Sequence, residues 1–263
     1  MKKAVFFDID GTIWDENQQI PDSTRAALRA LKENGHYLFI CSGRTRVFIP
    51  DKELMPLGFD GIAGGCGTYV EMEGRVPFYY QIPAERIRQD CEMMNRMNAR
   101  YILEGRNYLY VDEERYGKEN PFLLNLKEKI GESIIPVEGN EEKLEVSKFC
   151  VNYPEDEGVR RELEQELSKN YEVIHREEDF IEAVPKGFSK VTGIKEICRL
   201  LQIAHEDTYS FGDSTNDLDM LRYTAHSAAM GDGMEEAKNA AEYVTAELWK
   251  DGIYLGLKHY GLI

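Results

Sequence analysis

Asp8 and Asp10 stand two residues apart in the segment Asp8-Ile9-Asp10-Gly11-Thr12. They follow the apolar run Ala4-Val5-Phe6-Phe7, which reads as a buried parallel strand. Side chains two apart on a strand share a face. The two carboxylates are therefore expected to project together from the strand's carboxyl end, the edge where open α/β sheets bind ligands. Such a pair repels itself unless a cation or a shared proton offsets it. Metal binding and proton transfer are the chemistry this suits. The plain alternative is a strand-ending turn, because Asp-Gly favours turns.

Three further polar clusters sit at comparable places. Ser42-Gly43-Arg44 ends the apolar run Tyr37–Cys41, and Asp213-Ser214-Thr215-Asn216-Asp217 follows Tyr209-Ser210-Phe211-Gly212. Lys190 opens a helical pattern marked by Val191, Ile194, Ile197 and Leu201. In a parallel sheet these ends converge on one edge. Together they offer carboxylates, one lysine, hydroxyls and an amide, an inventory that suits a magnesium ion plus a phosphate. Magnesium takes carboxylate and water oxygens and bridges to substrate phosphate. Phosphate oxygens take Lys, hydroxyl and backbone N–H donors. Taken singly, Lys190 reads as a solvated helix residue, Ser42 as a cap, and Asp217 as an acid favouring a helix N-terminus.

The elements that would position these groups alternate at first. Pro21-Asp22-Ser23-Thr24 offers caps for a helix whose apolar face includes Ala27, Leu28 and Leu31, and Asn34-Gly35 ends it. Gly61-Ile62-Ala63 is a third strand. This order predicts a doubly wound parallel sheet. After about residue 80 the pattern becomes paired short strands with helices, a small α+β insert. Core alternation resumes after Pro185-Lys186-Gly187. The expected organisation is a core from residues 1–82 and 186–263 with an insert over 83–185.

Bulk properties exclude several classes. The chain has 263 residues, 42% hydrophobic and 30% charged, as in ordinary globular proteins. No apolar stretch is long enough to span a bilayer. The apolar run after Met1-Lys2-Lys3 is too short for a signal peptide, so a cytoplasmic location is expected. A net charge of −16 argues against nucleic-acid and anionic membrane partners. The five cysteines are scattered without a Cys-x-x-Cys pair, so neither a disulfide framework nor a thiolate zinc site is expected. The sequence carries no signal for oligomeric state.

The four clusters, in order, resemble the motifs of the haloacid dehalogenase superfamily of phosphatases, and within it the Cof-type hydrolases. Asp8–Thr12 looks like the first motif, Ser42 the second, Lys190 the third, and Gly212–Asp217 the fourth; Met230-Gly231-Asp232-Gly233 lies at a further signature. The insert falls where the C2-type cap lies. The resemblance implies a Rossmann-like core and magnesium-dependent hydrolysis of a small phosphorylated metabolite, sugar phosphates being favoured. Asp8 would be the nucleophile that becomes an aspartyl phosphate, and Asp10 the general acid/base, held by Thr12. Asp8, Asp213 and the Asp10 carbonyl would bind the metal, with Asp217 a ligand or an anchor of metal water. Ser42, Gly43, Lys190 and Asn216, with Thr12 beside them, would line the phosphate site. Arg46, Tyr101 and Arg106 are candidates for contacting the leaving group. The alternatives are a phosphomutase, which needs a second phosphate site in the cap, and a noncatalytic phosphometabolite-binding protein. The chain departs from the subfamily pattern at Gly64 and Asp232, which carry glycine and aspartate where asparagine is usual.

Overall fold

The computed structural model describes residues 2–117, 119–177 and 180–263. The chain divides into two compact units: Met1–Gly43 with Pro50–Phe78 and Ser189–Ile263, and Arg44–Ile49 with Tyr79–Phe188. Against the sequence expectation, the division falls at 79 and 188, and a short stretch after residue 43 joins the second unit. No helix among the described residues is long and apolar enough to cross a membrane.

The strands, in chain order, begin with β1 Ala4–Phe7, β2 Tyr37–Cys41, β3 Gly61–Gly64, β4 Tyr69–Met72 and β5 Arg75–Tyr79. The middle of the chain supplies β6 Arg100–Glu104, β7 Leu109–Val111, β8 Ile134–Pro136, β9 Lys148–Asn152, β10 Tyr171–Glu177 and β11 Phe180–Pro185. The last are β12 Thr208–Gly212, β13 His226–Ala229 and β14 Tyr243–Val244.

The first unit holds an eight-stranded sheet in the order β14-β13-β12-β1-β2-β3-β4-β5. Pairing is parallel from β14 to β3, and β4 runs antiparallel to β3. The expected doubly wound parallel sheet is therefore present, extended by an edge hairpin that the sequence reading did not place. The hairpin turns at Glu73 and Gly74, both with positive φ, as a primed turn requires.

β1 lies between β2 and β12, with Phe7 level with both Ile40 and Phe211. The strand order reverses here, and the crevice at such a reversal is where open α/β sheets place ligands. The strands are apolar on both faces because helices cover both. On one face Phe6, Phe39, Cys41, Ala63 and Val70 pack with Ile194 and Ile197 of the helix Lys190–Leu201. Phe6 stacks on Phe39 at 5.3 Å, and Phe7 on Phe211 at 5.1 Å. Fully burying aromatic side chains of this size contributes about 2–3 kcal/mol each.

The second unit has its own six-stranded sheet, β10-β11-β9-β6-β7-β8, antiparallel except for β7 with β8. Its apolar face packs Tyr101, Leu103, Phe149, Val151, Ile181 and Ala183 under Ile87, Met94, Leu163 and Leu167 from the helices Ala84–Arg96 and Glu157–Leu167. The opposite face carries Ile102, Leu109 and Val111, against which Val47 and Phe48 pack. That packing is what recruits Arg44–Ile49 to this unit.

Candidate active site

Asp8, Ser42 and Asp213 immediately follow the carboxyl ends of three adjacent strands, β1, β2 and β12. The Asp8 N–H donates to the Phe211 carbonyl at 3.0 Å and so continues the ladder past the last strand residue. Ser42 is 2% exposed; its N–H donates to the Ala63 carbonyl and its carbonyl accepts from the Cys66 N–H. The backbone leading into Gly43 is thereby held from both sides.

Lys190 is the first residue of its helix, whose N-cap Ser189 forms a capping box with Thr192. Only 2% exposed, it donates to Asp8 Oδ1 at 2.5 Å and to Asp217 Oδ1 at 2.6 Å. Burial alone would lower its pKa, but Asp217 and Asp8 outweigh that and hold it raised, so it stays charged. The other Asp8 oxygen accepts no hydrogen bond among the described residues.

Asp217 is fully buried, and its Oδ2 accepts the N–H groups of Asp213 and Ser214 at 3.0 and 3.1 Å. This turn exists because residue 212 is glycine: a Cβ there would lie 2.6 Å from the Asp217 carboxyl carbon. Asp217 therefore spends three of its roughly four lone-pair sites on Lys190 and the backbone. Of the two readings of this residue, the geometry favours the anchor. Ser214 donates to Asn216 Oδ1 at 2.7 Å.

One expectation is corrected. The Thr12 hydroxyl donates to Asp213 Oδ1 at 3.2 Å, not to Asp10. The Asp10 side chain instead accepts from the buried Trp14 indole at 2.9 Å. The tight turn after β1, with the Ile13 and Trp14 N–H groups on the Ile9 carbonyl, carries Thr12 toward β12 and Trp14 back under Asp10. Gly11 permits it, with φ +78 and a position where a Cβ would meet Asp213 Oδ2 at 2.5 Å. Sequence reasoning passed over Trp14, whose indole is the donor.

Asp8, Asp213 and Asp217 each bring a carboxylate oxygen within 4.8 Å of the others. Like charges about 4 Å apart repel by about 4 kcal/mol at an effective dielectric of 20. Burial first, and the neighbouring carboxylates after it, push the Asp8 and Asp213 carboxyls well above the usual range, Lys190 pulling the other way. With all three ionised and Lys190 charged, two negative charges stay uncompensated, the charge of one divalent cation. The donors are hard oxygens, which fit magnesium.

The leaving-group candidates lie at three places in the second unit. Tyr101 is 1% exposed in the apolar core of the second unit. It alternates along β6 with Ile102, so it points away from the face that carries Val47 and Phe48; it is a core residue. Arg46, half-buried in Arg44–Ile49, donates to the Ile49 carbonyl at 3.2 Å. Arg106 lies in the β6–β7 connection and contacts Asn107. A cavity of about 510 Å³ in this unit is lined by Tyr101, Glu92, Asp112 and Glu138 among others; its carboxylates disfavour an anionic ligand.

Sequence reasoning also missed a charged cluster on the β6–β9–β11 face. Lys148, 2% exposed, lies 3.0 Å from Glu182 and 3.6 Å from Glu104. Arg176 donates to Glu182 at 2.9 Å. Burial opposes ionisation of Glu182, yet Lys148 and then Arg176 hold its carboxyl down at about 2. Glu104 accepts from the Thr45 hydroxyl at 3.0 Å and from the Cys150 thiol at 2.8 Å.

The whole chain compares with known proteins. Residues 5–257 match the family model for haloacid dehalogenase-like hydrolases. The chain belongs to this family. Among curated members, the provisionally named phosphatase YkrA of Bacillus subtilis (strain 168) is 31% identical over 261 residues, covering 99% of this chain and 98% of that one. Among solved family structures, a hypothetical protein from Geobacillus kaustophilus HTA426 superposes with a TM-score of 0.87 at 29% identity, and the subclass IIB sugar phosphatase BT4131 with 0.82 at 32%; both cover 100% of each chain. The family's phosphatases thus share this chain's fold over its full length, and the chain is an enzyme of that class. Asp232, one of the two departures, accepts the Leu248 N–H on both oxygens at 3.2 Å and caps a short helical turn.

Proposed function

We propose that the chain is a magnesium-dependent phosphatase that hydrolyses small phosphorylated metabolites, sugar phosphates first, through an aspartyl phosphate on Asp8. The observation that carries the reading is the Asp8 carboxylate at the switch point, with one oxygen held by Lys190 and the other without a hydrogen bond among the described residues. A carboxylate fixed by one oxygen presents the other for attack on phosphorus.

Lys190 orients Asp8 and lowers the repulsion between it and an incoming phosphate dianion. Asp217 fixes Lys190. Ser42, the Gly43 N–H and the Asn216 amide are the proposed donors to the phosphate oxygens. Asp8, Asp213 and the Asp10 carbonyl would hold magnesium, with Asp217 behind them; when bound, the ion neutralises negative charge between carboxylate and phosphate. Asp10 gives a proton to the departing oxygen, then takes one from the water that hydrolyses the acyl phosphate.

The substrate preference rests on likeness to the sugar phosphatase at 32% identity over the whole chain. The phosphomutase reading has weaker support, since Arg100, Arg106 and Arg115 have different neighbours: Tyr116, Asn107 and Asp112 respectively. The test is phosphate release from p-nitrophenyl phosphate and a panel of sugar phosphates, with magnesium and with EDTA. Magnesium-dependent release supports the reading. Isomerised sugar phosphate without release of phosphate supports the mutase.

A further inference from the structure

We infer that Asp232 is a positioning residue for Asp213: it pins the loop whose backbone holds the proposed metal-binding aspartate in place. The inference rests on the reading that Asp213 takes magnesium.

Asp213 lies just past β12, so its carboxylate is only as well placed as its own backbone. That backbone is held from two directions. Its N–H donates to the buried Asp217 carboxylate at 3.0 Å. Its carbonyl accepts the Met234 N–H at 2.7 Å, the short end of the range for such bonds. The second hold belongs to the loop that follows β13. This loop approaches so closely because residue 233 is glycine: a Cβ there would lie 2.7 Å from the Asp213 carbonyl oxygen and 3.0 Å from its Cα.

The start of the loop is tied to the sheet, the Met230 N–H donating to the Gly212 carbonyl and the Gly231 N–H to the Ala246 carbonyl, both at 3.0 Å. From Gly231 to Gly233 the backbone is glycine on either side of one residue, and glycine leaves a chain its widest freedom. Asp232 is the side chain between them. It is exposed, yet both its oxygens accept the Leu248 N–H at 3.2 Å. Leu248 is 2% exposed, so the anchor point is seated in the core. The carboxylates that cluster among the described residues are those of Asp8, Asp213 and Asp217. Asp232 stands outside that group and acts on it through the backbone, from Leu248 through the loop to the Asp213 carbonyl.

Magnesium binding reads this role without turnover. Magnesium chloride is titrated calorimetrically into the wild type, Asp232→Ala and Asp232→Asn, with no substrate present. Asp232→Ala is expected to raise the magnesium Kd about tenfold, the lower end of the loss seen when groups that orient metal ligands are removed. Asp232→Asn keeps a side-chain oxygen for the Leu248 N–H, so it should bind magnesium as the wild type does. A merely structural Asp232 lowers the melting temperature of the alanine variant and leaves its Kd alone. An unchanged Kd in Asp232→Ala therefore overturns the inference, and so does an equal loss in both variants, which would make the charge and not the hydrogen bond the cause. If the wild type takes up no magnesium, the reading of Asp213 fails and the inference with it. If the wild type and Asp232→Ala bind equally well, only the inference fails. Should Asp232→Ala melt below the titration temperature, Gly233→Ala meets the Asp213 carbonyl from the loop side. Its Kd should rise in the same way, and an unchanged value there overturns the inference.

Discussion

Lys190 Nζ sits 2.6 Å from Asp217 Oδ1, in a place from which both groups are almost excluded from water. The lysine is held by an acid whose other oxygen is already committed to two backbone N–H groups. Breaking such a buried pair from one side costs about 3–5 kcal/mol, because the remaining charge stays buried alone. Lys190→Met should lower stability by about that amount in urea denaturation, and Lys190→Met with Asp217→Asn should recover part of it. An unchanged midpoint in the single variant contradicts the pairing.

Asp8→Asn separates activity from stability. Removing the proposed nucleophile should cut turnover of p-nitrophenyl phosphate by more than about 10³-fold. It also removes one of three mutually repelling carboxylates, so in EDTA the melting temperature should not fall. Substantial residual turnover would point to another nucleophile.

Magnesium and pH should act on one another. In the metal-free protein the Asp8 and Asp213 carboxyls are raised by burial to about 7 and about 8, against about 3.9 in an unfolded chain. A raised carboxyl binds its proton more tightly folded than unfolded. The stability it contributes is complete below the unfolded value, and it is lost as pH rises through the folded one. The melting temperature in EDTA should therefore fall between about pH 4 and pH 8. Magnesium binds the ionised carboxylates, so the rise it produces should grow over the same interval. Asp213→Asn should flatten both trends; a magnesium effect independent of pH contradicts the assignment.

The second unit has its own buried ion cluster. Lys148→Met would remove the buried cation between Glu104 and Glu182, and about 3–5 kcal/mol of that unit's stability should go with it. Hydrogen exchange of β6, β9 and β11 reads this directly. Protection unchanged in those strands would mean that Arg176, Thr45 and Cys150 suffice.

How much of this was legible in the sequence depends on what each residue's neighbours announce. Asp8, Ser42 and Asp213 each follow an apolar run that stops abruptly, and strand periodicity alone carries them to one edge. Lys190 was readable only through its company, since a lysine opening a helix is otherwise unremarkable. The hairpin at Glu73-Gly74 was not placed because the alternation Val70-Glu71-Met72-Glu73 is only four residues long. Nothing local in the sequence marks Glu104 and Lys148 as buried; only their tertiary pairing does. Thr12 was matched to the wrong acid because its partner lies 201 residues away in sequence.

The short stretch Arg44–Ile49 sets a rule for recombining this protein with others. It begins one residue after Gly43, yet Thr45 is tied to Glu104 and Val47 and Phe48 are packed beside Ile102. A chimera that exchanged only 79–188 would confront a foreign sheet with a native plug, leaving the Thr45 hydroxyl without its acid and Val47 and Phe48 without the apolar patch they cover. A transplant that folds must carry two stretches of chain, and the smaller one abuts the proposed phosphate-binding turn. In this architecture a new insert cannot be inherited as a single cassette.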